Sequence, residues 1–278
     1  MVSEVVTSAA VALFALSVVV LYFIEPADDA LAAEVLLGDG REDEGWLPPI
    51  FVVFDRTRDP PLDASEAISR TKRVGAHGIG FYLNLSGAGS VHWDLVRNKP
   101  EEMEKIYGSL ERHDVKLMLV VEDHGIHAAK FFSALLRWWP DMSRRLVVVS
   151  SSPKFLFAVG GNNKTIVKAL AWWPCCFAYK DLQCTRPRNE KLGWHLVALA
   201  AEWLYQWCFE WGLLTRVSMA SAVVVDAAHV SRRFVRRWSD RGLRVLVVAL
   251  DDPGQQQYLR RALQVPIVAN YSSLPGRE

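Results

Sequence analysis

Three clusters of chemically capable side chains lie just after short apolar runs. The first is FDRTRD, with Asp55, Arg56, Arg58 and Asp59; the second is SVHWD, with His92 and Asp94; the third is EDHGIHAA, with Glu122, Asp123, His124 and His127. Histidines titrating near neutral pH can pass protons, carboxylates can hold a hard cation such as Mg2+ or Ca2+, and arginines can grip a phosphate through paired N–H groups. Each cluster also has a plainer reading. EDHGIHAA reads more simply as a helix start capped by Asp123 with solvated histidines, and FDRTRD as a charge-paired surface loop.

The elements that must position these clusters are legible from hydrophobic period. Apolar, β-branched runs at 50–54, 78–85, 116–122, 145–151, 166–172, 221–227, 243–250 and 265–271 predict eight strands. Stretches of helical period separate them, among them SEAISRTKRVG, PEEMEKIYGSLERHD, HAAKFFSALLRWW, SRRFVRRWSDRG and PGQQQYLRRAL. Strands alternating with helices predict an α/β fold, a (β/α)8 TIM barrel over residues 48–278, whose strand C-termini carry the chemistry. An open doubly wound sheet is the alternative. All three clusters follow predicted strands, where a barrel places function.

Hydrophobic content of 51% with 23% charged residues is that of a folded protein, and a net charge of +1 without a basic stripe argues against nucleic acid as a partner. Val5–Ile24, VVTSAAVALFALSVVVLYFI, carries no charge and has the length of an N-terminal transmembrane helix. The expected organisation is therefore a membrane anchor within 1–25, an acidic linker over 26–47 and then the barrel. A cleaved signal peptide is the other reading of that segment, with ALA at 30–32 as its cleavage site. Sequons at Asn84, Asn163 and Asn270 lean the body toward a lumenal or extracellular side, with only Asn163 in an accessible-looking turn. Cys175, Cys176, Cys184 and Cys208 lack zinc-site spacing and leave room for one disulfide.

The rhythm breaks at 174–219, an insertion longer than one helix requires. Trp203, Trp207 and Trp211 recur there every four residues on one helix face. Such a face either packs on the barrel or lies in a membrane interface, and Glu202 and Glu210 argue against a full span.

Residues 48–275 resemble the glycerophosphodiester phosphodiesterases, in particular the membrane-anchored animal subgroup. The resemblance rests on ISRTKRVGAHGIGFYLNL, on VVVSSSPKFLFAV and on the closing FVRRWSDRGLRVLVVALDDPGQQQYLRRALQVPIVANYSSLPG. It implies a divalent metal held by barrel carboxylates and two histidines acting as acid and base on a glycerophosphodiester.

Carried over position by position, the machinery is degenerate. The His-Arg-Gly after the first strand falls on Asp55, Arg56 and Thr57, so only the arginine survives. The Glu-Leu-Asp of the second strand falls on Gly80, Phe81 and Tyr82, which removes both metal carboxylates from the inward face. The second histidine's place holds Trp93, with His92 one position back; the third-strand acid and lysine fall on Val121 and Asp123; the closing Thr-Asp becomes Ala269 and Asn270.

The resulting expectation is a pseudoenzyme of lipid metabolism or signalling. It would bind a phospholipid headgroup or a membrane protein partner, with Arg56 and Arg58 as phosphate contacts and no metal. The alternative is an active phosphodiesterase using Mg2+ or Ca2+ with relocated residues, for which Arg56, His92 and Glu122 are the candidates.

Overall fold

The computed structural model describes residues 29–37, 46–54, 63–83, 100–121, 132, 135–162, 165–180 and 184–274. Eight strands follow in order: β1 Ile50–Val53, β2 Gly78–Leu83, β3 Lys116–Val121, β4 Leu146–Ser150, β5 Val167–Trp172, β6 Ala222–Asp226, β7 Arg244–Val248 and β8 Ile267–Asn270. Each lies within one of the eight apolar runs. All pair in parallel with their sequence neighbours, and β8 pairs back on β1 with Val268 beside Phe51, which closes the sheet into a barrel and excludes the open alternative.

The described helices are α1 Asp29–Leu37, α2 Ala64–Arg73, α3 Pro100–His113, α4 Pro153–Asn162, α5 Leu192–Glu210, α6 Leu213–Val217, α7 Arg232–Ser239 and α8 Pro253–Tyr258. Their boundaries follow local chemistry. Ser231 starts α7 by accepting the Phe234 N–H (3.2 Å), and Asp252 starts α8 by accepting the Gly254 N–H (2.9 Å) with Pro253 at the first helical position. At the opposite ends, five residues with positive φ turn a helix toward the next strand: Gly75, Asp114, Met219, Gly242 and Gln264.

Period-two alternation divides the strand side chains into two shells. Leu117, Leu119 and Val121 of β3 face the helices, whereas Met118 faces the lumen beside Phe51, Val53, Val149 and Val224. The lumen is filled by matching large residues to small ones. Phe51 occupies the space left by Gly78, and Met118 with Val53 the space left by Gly80.

The stretch expected as a linker contributes part of this core. Ala32, Val35 and Leu36 of α1 are fully buried against the lumen residues, and Lys116 at the start of β3 donates its Nζ to the Glu34 carbonyl at 2.8 Å. α1 thus closes the N-terminal end of the barrel, because an open lumen would expose that apolar layer to water. Among the described residues no helix is long and apolar enough to cross a membrane; Val5–Ile24 lies outside them.

A charged residue is buried in the outer shell. Lys168 on β5 is 3% exposed beneath α4, with its Nζ against Gly160, and burial lowers its ammonium pKa to about 8. Between pH 8 and 10.5 the unfolded chain holds a proton that the folded chain lacks, so stability rises with pH across that window. Below it both states are protonated and the folded state bears the full cost of a buried charge. At ~1.4 kcal/mol per pH unit, Lys168→Met is expected to add up to about 3 kcal/mol at pH 7 and to flatten the rise, as urea unfolding at pH 7, 8, 9 and 10 would register.

Candidate functional site

In this barrel the strand C-termini form a mouth opposite α1. Of the positions singled out from sequence, Gly80, Phe81, Tyr82, Val121, Ala269 and Asn270 are described; Arg56, Arg58, His92 and Glu122, with Asp55, Asp59, Asp94, Asp123, His124 and His127, lie outside the described residues.

Gly80 and Tyr82 share the lumen-directed register of β2. A Cβ on Gly80 would meet Met118 Cε at 2.6 Å and Val53 Cγ2 at 3.0 Å, and these are its in-register neighbours on β3 and β1. Tyr82 stands at the rim, 47% exposed, in register with Val120. The surroundings of Gly80 are aliphatic, which is no environment for a divalent cation needing several oxygen ligands. Among the described residues no three of His, Cys, Asp and Glu converge as metal ligands would. The described part of the mouth therefore does not fit the metal that the resemblance implies.

On β3 the structure corrects one alignment. Val121 is 2% exposed in the helix-facing shell, while Val120 packs with the lumen cluster, so an inward acid of this strand would not stand at position 121. The slip is one residue, which reverses the face of a strand side chain.

Among the described residues a polar network of the mouth lies at β7 and β8, and no motif in the sequence marks it. Asn270, 6% exposed and in register with Val53, donates Nδ2 to Asp251 Oδ1 at 2.8 Å. Gln256 donates Nε2 to the Ala249 carbonyl and to Ser273 Oγ, both at 2.9 Å, and Ser273 donates to the Asn270 carbonyl at 2.8 Å. Phe54 stacks on Tyr271 at 4.7 Å beside it. These bonds brace the barrel's closing seam. They also bury the Asn270 sequon, so that asparagine does not present its amide for glycosylation in the folded chain. On β6, Asp226 accepts the Ala228 N–H at 2.8 Å and starts a short turn.

The insertion rises from the end of β5. A disulfide joins Cys175 to Cys184, and Tyr179 bridges to Pro187 in a small hairpin. Glu202 of α5 turns its carboxylate onto that loop and accepts the N–H groups of Cys176 (3.0 Å), Phe177 (2.7 Å) and Ala178 (3.3 Å). Burial, and then the Glu202 carboxylate, push the Cys176 thiol up to about 11, so it is protonated and a poor nucleophile at neutral pH. α5 is seated on the barrel by its C-terminal half. Phe209 stacks on Trp172 and meets Trp238, each at 4.8 Å, and Tyr205 donates its hydroxyl to the Ser151 carbonyl at 3.3 Å.

No family model and no curated protein matches this sequence. Solved structures do match the fold. A phosphodiesterase of Oleispira antarctica, solved with the product sn-glycerol-3-phosphate, superposes with a TM-score of 0.52 at 11% identity, covering 83% of this chain and 95% of that one. A glycerophosphodiester phosphodiesterase of Parabacteroides distasonis gives 0.52 at 10% identity over 81% and 93%, and a protein of Galdieria sulphuraria provisionally assigned to that activity gives 0.54 at 12% over 82% and 95%. The chain therefore has a TIM-barrel fold, similar to that of these solved phosphodiesterases.

Proposed function

We propose that this protein is a membrane-anchored barrel that has left catalysis and uses its mouth to bind a phosphate-bearing lipid headgroup. The reading rests above all on β2. At its lumen-facing positions stand Gly80, whose space is filled by Met118 and Val53, and Tyr82, where the resemblance implies two metal carboxylates. Hydrolysis that depends on a metal and acid–base groups acting as a unit does not survive their joint loss. The anchored reading rests on the uncharged Val5–Ile24 segment, and the Cys175–Cys184 bond favours an oxidising, lumenal or extracellular setting for the body. Arg56 and Arg58 are the proposed phosphate contacts.

Detergent-purified full-length protein should show no turnover of glycerophosphodiesters or lysophospholipids with Mg2+ or Ca2+. Its melting temperature should instead rise with sn-glycerol 3-phosphate, by about 2.7 kcal/mol in stability at 100 times Kd, and the rise should vanish in Arg56→Ala, Arg58→Ala. Turnover abolished by His92→Ala, Glu122→Ala would overturn the reading and establish an active enzyme with relocated residues. Neither turnover nor a melting shift would remove the headgroup and leave a protein partner.

A further inference from the structure

The side of α5 turned away from the barrel carries a row of large apolar side chains, broken near its C-terminal end by exposed Gln206 and Glu210. Leu192, Leu196, Val197, Trp203, Leu204 and Trp211 are each between 54% and 74% exposed, and Trp194 is 65% exposed near the helix start. Within α5 only Phe209 is buried. Of the two acids that argue against a full span, Glu202 is engaged with the hairpin backbone, and Glu210 stays exposed at the helix end, where it accepts the Gln206 Nε2. A run of large apolar side chains on a surface is costly in water unless something covers it.

Its position says what does. α5 passes through α6 to the first residue of β6, so its C-terminal end lies at the barrel's N-terminal end, where α1 sits. α1 touches β5 and β7, the two neighbours of β6, and so occupies the same sector of that end. The uncharged segment ends at Ile24, five Cα steps before Asp29, a reach of at most about 18 Å. An anchor so placed holds a bilayer close to the lower end of α5. At the upper end the hairpin presents exposed Lys180, Arg188 and Lys191, the charge that anionic headgroups attract. Indoles prefer the headgroup level, and a helix with an apolar face and a polar flank lies in that plane instead of spanning it.

We infer that the outer face of α5 rests in the interfacial layer of the anchoring membrane, so that the barrel lies with this side on the bilayer. The inference rests on the anchored reading above, but not on the loss of catalysis.

The chain itself supplies the probe. It has 11 tryptophans, and none falls within Val5–Ile24, so tryptophan quenching by lipid reports the body and not the anchor. Full-length protein would be reconstituted into phosphatidylcholine–phosphatidylserine vesicles carrying acyl chains brominated near the headgroup, and compared with Trp203→Phe, Trp211→Phe, a pair that keeps the apolar face. The expected result is flotation of both proteins with the vesicles, bromine quenching in the parent, and loss of roughly half of the quenched signal in the variant, since two of the interfacial indoles are gone. Failure to float would overturn the anchored reading and this inference together. Flotation without quenching, or quenching that the variant retains in full, would overturn the inference alone. In that case a detergent-soluble dimer dissociated by Trp203→Glu would identify a second copy of the chain as the cover.

Discussion

Glutamate placed at position 80 is expected to lower the melting temperature by roughly 10 °C and to restore no hydrolysis. The resemblance suggests that a single carboxylate there would begin to rebuild a metal site. Packing says otherwise. Even a Cβ at this position meets Met118 Cε at 2.6 Å and Val53 Cγ2 at 3.0 Å, side chains carried by the two strands hydrogen-bonded to β2. Overpacking of this kind costs about 1–3 kcal/mol, and a carboxylate among aliphatic groups adds a desolvation penalty of similar size. A total near 4 kcal/mol corresponds to about 8–16 °C in a domain of this length. Circular-dichroism melts of Gly80→Glu and of Gly80→Glu, Met118→Ala separate the two parts, because the second variant restores space and leaves the charge. A Gly80→Glu protein that melts like the parent and is stabilised by Mg2+ would show that the mouth accepts a cation after all.

Truncation of Phe209 to alanine should cost about 3–5 kcal/mol, the range for a fully buried aromatic ring. Phe209 is 1% exposed and is the link between the insertion and the barrel, lying nearly parallel to Trp172 at 5° and tilted against Trp238. Such ring pairs contribute ~0.5–1.5 kcal/mol beyond area burial. The loss should be uneven. α5 and its hairpin should become accessible to protease before the strands exchange their amide protons, which limited proteolysis beside hydrogen exchange would resolve. Phe209→Leu, which retains most of the buried volume, should recover the greater part of the stability. An insertion equally protected in Phe209→Ala would mean that the Glu202 contacts alone seat α5.

The fold and the proposed loss of catalytic groups are legible in the sequence to different degrees, for a physical reason. Strand alternation is a local signal, and it placed all eight strands and put Gly80 and Tyr82 on the lumen side. The resemblance, not the period, set the third-strand acid on Val121, and that position faces the helices, because a one-residue offset in an alignment reverses the face of a strand side chain. The brace of Asn270 with Asp251 joins residues from two different strand ends, 19 apart in the chain, and no period reveals such a pair.

The amino-acid sequence by itself determined the barrel's strand count, the apolar character of the second strand's inward face, the aromatic stripe of the insertion and the uncharged segment before the body. Those properties are carried by neighbours in the chain, within the reach of a two- or 3.6-residue period. Tertiary structure alone decided that a stretch with the composition of a linker fills the barrel's end as α1, and that Cys175 pairs with Cys184. It also turned Glu202 inward and left the tryptophans outside. Each of those outcomes depends on which surfaces remain to be covered once eight strands have closed on one another, and that is fixed only by the assembled fold.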